Sequence, residues 1–99
     1  MAKSPPKAAR EAAEALAIQA LSYLGQDGER LGRFLAVTGI GPAEIRSAAA
    51  EPGFLAGVLE YLGSDERLLT EFAAASGFEP AQVDAARLVL AGEWERDVP

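Results

Sequence analysis

Apolar side chains recur along this chain at three- and four-residue intervals, in blocks separated by Gly, Pro and Asp. That spacing predicts amphipathic helices, and the punctuation marks off six of them. Ser4-Pro5-Pro6 precedes an Ala-rich stretch from about Lys7 to Leu24 whose larger members are Leu16, Leu21, Tyr23 and Leu24, with Gly25 placed to stop it. Asp27 can cap a second helix bearing Leu31, Phe34, Leu35 and Thr38 at helical spacing, and Gly39 ends it. Pro42 suits the first turn of a third, running to about Ala50 with Ile45, Ala48 and Ala49 inward. Pro52 opens a fourth, with Leu55, Val58, Leu59 and Leu62 on one face and Gly63 after it. Ser64 or Asp65 caps a fifth through Leu68, Leu69, Phe72 and Ala73 to Gly77. Pro80 starts a sixth, with Val83, Ala86 or Arg87, and Leu90 inward, and Gly92 closing it. Nothing alternates at period two over a strand's length, so the expected fold is all-α.

The blocks also repeat. Tyr23-Leu24-Gly25 set beside Tyr61-Leu62-Gly63 gives an offset of 61 − 23 = 38, and at that offset Asp27 falls on Asp65, Leu31 on Leu69, Phe34 on Phe72, Gly39 on Gly77 and Pro42 on Pro80. Thr38 with Ser76, Ile40 with Phe78 and Ile45 with Val83 are conservative pairs. The shared Gly and Pro positions set backbone turns that other residues substitute poorly. The reading is a tandem internal duplication, with units at about 16–50 and 54–90. Two copies are too few for a solenoid, which predicts a compact bundle of about six short helices with the copies packed face to face, about a pseudo-twofold axis.

Composition narrows this picture. A chain of 99 residues has room for one hydrophobic core, so residues 7–92 are expected to form a single helical domain between a flexible basic tail (1–6) and a flexible acidic tail (93–99). Of the apolar residues 21 are Ala, which favours helix more than it fills volume, leaving Phe34, Phe54, Phe72, Tyr23 and Tyr61 as bulky anchors. There is no Cys and no His, which removes disulfides, thiol and imidazole catalysis and the commonest metal ligands; no cofactor and no metal site are expected. Glu11 and Glu14 interrupt the stretch a signal peptide would need, and no apolar run approaches the roughly 18 residues of a membrane span, so a soluble, cytoplasmic protein is expected. The net charge of −6 divides into +3 over residues 1–10 and −9 over the rest, a poor surface for unspecific binding to phosphate backbones or anionic lipids.

The run Glu29-Arg30-Leu31-Gly32-Arg33-Phe34-Leu35-Ala36-Val37-Thr38-Gly39, followed by Phe54-Leu55-Ala56-Gly57-Val58-Leu59 and by Phe72-Ala73-Ala74-Ala75-Ser76-Gly77-Phe78-Glu79-Pro80, resembles an uncharacterised alphaproteobacterial family, domain-of-unknown-function family 3572. The resemblance covers about residues 16–90. It implies a short helical bacterial protein and carries no activity or functional residue.

Gly39-Ile40-Gly41-Pro42-Ala43 is similar to the turn of a helix-hairpin-helix motif, in which backbone N–H groups meet a nucleic-acid phosphate. Arg30, Arg33 and Arg46 flank it, so Arg30, Arg33, Gly39, Gly41 and Arg46 form the candidate binding set. At offset 38 the arginines become Leu68, Glu71 and Asp84, and Gly41 becomes Glu79, which would repel a phosphate; the turn is therefore usable as pure structure, with Gly39 and Gly77 left-handed and Ile40 and Phe78 plugging the core. Glu29 is spaced to pair with Arg33 and neutralise part of the positive face. The acid pairs Glu11 with Glu14 and Asp65 with Glu66 sit in first turns, where helix dipoles account for them, and no acid–base constellation stands out. Trp94 is expected to dock back on the core, the alternative being a free recognition element. The function expected is a non-enzymatic binding or adaptor module, monomeric or weakly self-associating, whose partner is an unknown protein; nucleic-acid or anionic-ligand binding through the Gly39–Ala43 turn is the alternative.

Overall fold

The computed structural model describes residues 6–95, with side-chain environments through residue 92. Among these residues all regular structure is helical: α1 (Lys7–Gly25), α2 (Gly28–Thr38), a single 3₁₀ turn (Pro42–Glu44) leading into α3 (Ile45–Ala48), α4 (Pro52–Gly63), α5 (Glu66–Ser76) and α6 (Pro80–Glu95). The sequence beyond residue 95, the tail through residue 5 and the Trp94 side chain lie outside the described residues, and with them the expectations for both tails and for the docking of Trp94.

Local chemistry explains where the helices start and stop. Asp27 caps α2: the N–H groups of Glu29 and Arg30 donate to its Oδ1 at 2.9 and 3.3 Å. Asp65, not Ser64, caps α5 by accepting from Leu68 N–H at 3.1 Å, while the Ser64 hydroxyl turns back to donate to the Tyr61 carbonyl. Both α2 and α5 end in a left-handed glycine, Gly39 at φ 75° and Gly77 at φ 86°, whose N–H groups donate to Leu35 and Ala73 carbonyls. The Thr38 and Ser76 hydroxyls donate back to the Phe34 and Phe72 carbonyls and accept from Ile40 and Phe78 N–H, locking each turn the same way.

Four expected boundaries move. Gly25 and Gly63 do not stop their helices: both lie inside the last turn, and the chain leaves through right-handed Gln26 and Ser64 before the Asp caps reverse it. The third helix is a 3₁₀ turn plus four α-helical residues ending at Ala48 instead of about Ala50, because Pro52 forces Glu51 into extended backbone at φ −103°, ψ 124°. Gly92 does not close α6, which continues to Glu95, so the acidic tail expected from residue 93 begins as helix.

Helices α1, α4 and α6 pack on one another to form the centre, α2 lies on α1, and α5 lies mainly on α4. Phe34 and Phe72 are fully buried, with Leu24, Val58, Leu59, Leu62, Val83 and Leu90 closing around them. Each such side chain contributes about 1.5–3 kcal/mol relative to exposure. The remaining anchors, Tyr23, Phe54 and Tyr61, are only partly buried and pack around this cluster. Tyr23 meets Phe72 edge to face at 5.5 Å, and Tyr61 meets Phe34 at 5.2 Å. At the 38-residue offset these two pairs are each other's counterparts with partners exchanged, a reciprocity that an approximate twofold relation between the units would produce. The correspondence fails at the third helix: α3 makes its main contacts with its own 3₁₀ turn, whereas α6 spans both α4 and α1.

Candidate functional site

The five residues of the candidate binding set are spread over α2, the turn after it and α3. Arg30 and Arg33 lie in the first half of α2 and Gly39 caps its far end. At a rise of ~1.5 Å per residue, about 13 Å of helix separates Arg30 from Gly39. Arg46 stands exposed in the last turn of α3, where a cation suits the helix dipole.

Three of the turn's four backbone donors, those of Gly39, Ile40 and Gly41, are occupied. Gly39 N–H donates to the Leu35 carbonyl at 2.8 Å, Ile40 N–H reaches Thr38 Oγ1 at 3.4 Å, and Gly41 N–H donates to Glu44 Oε1 at 2.8 Å. A phosphate at Gly41 would have to displace a carboxylate of the chain. In the second unit Glu79 N–H donates to Gln82 Oε1, also at 2.8 Å. The match of Glu44 with Gln82 at offset 38 was available in the sequence as the signal for this closure, since both side chains can reach back to the N–H three residues earlier.

Arg30 and Arg33 instead border a mixed-charge cleft of about 280 Å³ between the first turns of α2 and α5, shared with Asp27, Asp65, Arg67 and Glu71. The Arg30 guanidinium lies 4.3 Å over the Tyr23 ring, which itself abuts Phe72, so this arginine is built into the aromatic packing. Hydrogen bonds from the Arg30 and then the Glu29 N–H, reinforced by the charges of Arg30 and Arg33, hold the Asp27 carboxyl below its ordinary value. Arg67 pairs with Glu71 at 3.4 Å, but the pairing expected between Glu29 and Arg33 does not form among the described residues. Nor do three acidic side chains there come close enough together to hold a metal ion. Four carboxylates interleaved with three guanidiniums make this a largely self-compensated surface.

A more open feature, which the apolar pattern alone did not reveal, runs along α4. Gly53, Gly57, Glu60 and Ser64 follow one another at helical spacing and form one face of that helix and its cap, half-buried at Gly53 and exposed at the other three. Two cavities, of about 340 and 510 Å³, lie along it and share Phe54, Gly57 and Glu60. The first is walled by Phe34, Val37 and Thr38 of α2, the second by Arg87 and Ala91 of α6. Together they make a groove with α4 as floor. Val37 on its rim is 71% exposed. The sequence signal was the run of small residues on α4 opposite its leucines, which by itself cannot say whether another helix covers them.

No described helix is long and apolar enough to cross a membrane. Comparison with curated proteins and with solved structures returns no match. The sequence from residue 10 to residue 93 matches the model of the family described as "Protein of unknown function (DUF3572)", a span wider than the resemblance over about residues 16–90, and this chain belongs to that family.

Proposed function

We propose that the chain is a protein-binding module with no enzymatic activity of its own, working in the cytoplasm as a monomer or a weak self-associating species, and that the groove along α4 is its contact face. The observation that carries this reading is the groove itself: two neighbouring cavities that share Phe54, Gly57 and Glu60, with exposed Val37 on the rim. Concave, largely apolar surfaces with a few polar groups on the rim are where proteins seat partners. The self-compensated cleft around Arg30 and Arg33 and the occupied donors of the Gly39–Gly41 turn favour this over the nucleic-acid reading.

A photo-crosslinking side chain placed at Val37, on the groove's exposed rim, in the native host tests the proposal. Capture of one protein from Val37 but not from exposed Gln19 on α1 is expected. Equal capture from both positions, or none, would sink it. A mobility assay at low salt checks the alternative: retardation of nucleic acid that vanishes with Arg30→Glu or Arg33→Glu, at unchanged helicity, would replace the proposal with that reading.

A further inference from the structure

The α4 groove has a charge pattern as well as a shape. Glu51, the residue before α4, and Glu60, in its last turns, both line the larger cavity and both are exposed. Among the described residues neither pairs with a cation. Arg87 on the α6 wall is already held by Asp84 at 2.9 Å. Between the two carboxylates the floor is apolar or bare: Phe54, Ala56 and Gly57, with Ala91 beside them. The place a Cβ of Gly57 would take has nothing within 4 Å, so an incoming backbone can come close there.

Resting on the reading of this groove as a protein contact, we infer that its occupant is an amphipathic helix of a partner protein bearing two Lys or Arg residues seven or eight positions apart beside its apolar face. The dimensions agree. The twelve residues of α4 span about 18 Å, room for some three turns of a second helix. Glu51 and Glu60, nine residues apart, are separated by about 13 Å along the axis, and seven or eight residues of a partner helix cover roughly 10.5–12 Å, a difference that flexible basic side chains bridge. Helix-in-groove docking presents anchors at this spacing, while strand addition needs a sheet edge, and the described residues contain no strand.

The probe is a fluorescent helical peptide of about eighteen residues with Leu on one face and two Lys at the stated spacing, alongside a version with Glu for both Lys, titrated by anisotropy against the full chain. Saturable binding of the Lys peptide is expected, weakened roughly tenfold by Glu51→Lys with Glu60→Lys and similarly by Gly57→Leu. Glu66→Lys with Glu79→Lys makes the same change in net charge outside the groove and should weaken it less than about twofold. Circular dichroism confirms that each variant keeps its helix. If both double reversals weaken binding equally, the peptide is attracted to an acidic chain in general and the inference is overturned. If the Glu peptide binds as well as the Lys peptide and Gly57→Leu blocks both, the basic occupant is wrong and the groove reading stands. If Gly57→Leu changes nothing, both fall. Light scattering that finds a dimer dissolved by Gly57→Leu would make a second copy the occupant and overturn the inference.

Discussion

Asp27 combines two effects of one carboxylate, capping a helix and sitting beside Arg30 and Arg33. A carboxyl held below its ordinary value when folded contributes stability above its unfolded value and loses it as the pH falls through the folded value. Asp27→Asn keeps a cap acceptor but removes the charge. The stability gap between wild type and Asp27→Asn is therefore expected to be full well above the ordinary value of 3.8 and to close on acidification below it. Denaturant titrations at about pH 6 and about pH 2.5 measure it, and a gap independent of pH would show that the charge contributes nothing. Glycines divide just as sharply. Gly77 has φ 86°, so Gly77→Ala should cost about 1–2 kcal/mol. Gly57 lies inside α4 with open space around it, so Gly57→Ala should stabilise the free chain by about 0.5–1 kcal/mol. Thermal melts of the pair should move in opposite directions.

Between helices, the exchanged aromatic pairs couple the two halves of the chain. Tyr23 of α1 touches Phe72 of α5, and Tyr61 of α4 touches Phe34 of α2. A double-mutant cycle of Tyr23→Leu with Phe72→Leu should give a coupling of about 0.5–1.5 kcal/mol, and the cycle of Tyr61→Leu with Phe34→Leu a similar value. Zero coupling in denaturant titrations would mean that area burial alone holds these rings. Much of this arrangement was legible in the sequence, because Asp at an N-cap, Gly in the left-handed region and Phe at the centre of an apolar face each carry a local physical reason. The Asp27, Asp65, Gly39 and Gly77 geometries follow from side chain and backbone within a few residues. The misread boundaries were those where two local cues compete. Gly25 and Gly63 are compatible with a last helical turn as well as with a stop, and the Asp two residues later decides. Pro52 governs α3 from outside it. The α4 groove was legible only as small residues opposite the leucines, since whether Gly53 and Gly57 are covered depends on where α2 and α6 lie. The spread of the candidate set was readable in principle: Arg30 and Gly39, nine positions apart on one helix and its cap, already lie about 13 Å from each other along the axis.

At the scale of the whole chain, the radius of gyration of 13.2 Å is close to the roughly 13 Å of a folded chain of this length, and the duplication expected from the sequence bears on how that globule folds. Two similar units could each be a folding unit, or the pair could be one. The packing answers through the core: α1 from the first half, which buries Leu16, Ala20 and Leu24, lies more extensively against α4 and α6 from the second half than against α2 of its own. The helix that should complete the first half, α3, is four residues long and contributes no fully buried side chain. A fragment of residues 1–50 therefore keeps two full-length helices and exposes the α1 face that α4 and α6 cover. Chains of about 50 residues bury too little surface to stand such a loss. The fragment is expected to show weak, non-cooperative helicity by circular dichroism. A fragment of residues 51–99 retains α4 with α5 and α6, the most extensive helix contact in the molecule, and should hold more residual helix while lacking a sharp melting transition. Mixed at equal concentration, the two should regain cooperative helix, because the exchanged Tyr–Phe pairs and the α1–α6 contact form only between them. A cooperative melt of residues 1–50 alone would show instead that each repeat unit is a domain in its own right, and the single shared core would have to be abandoned.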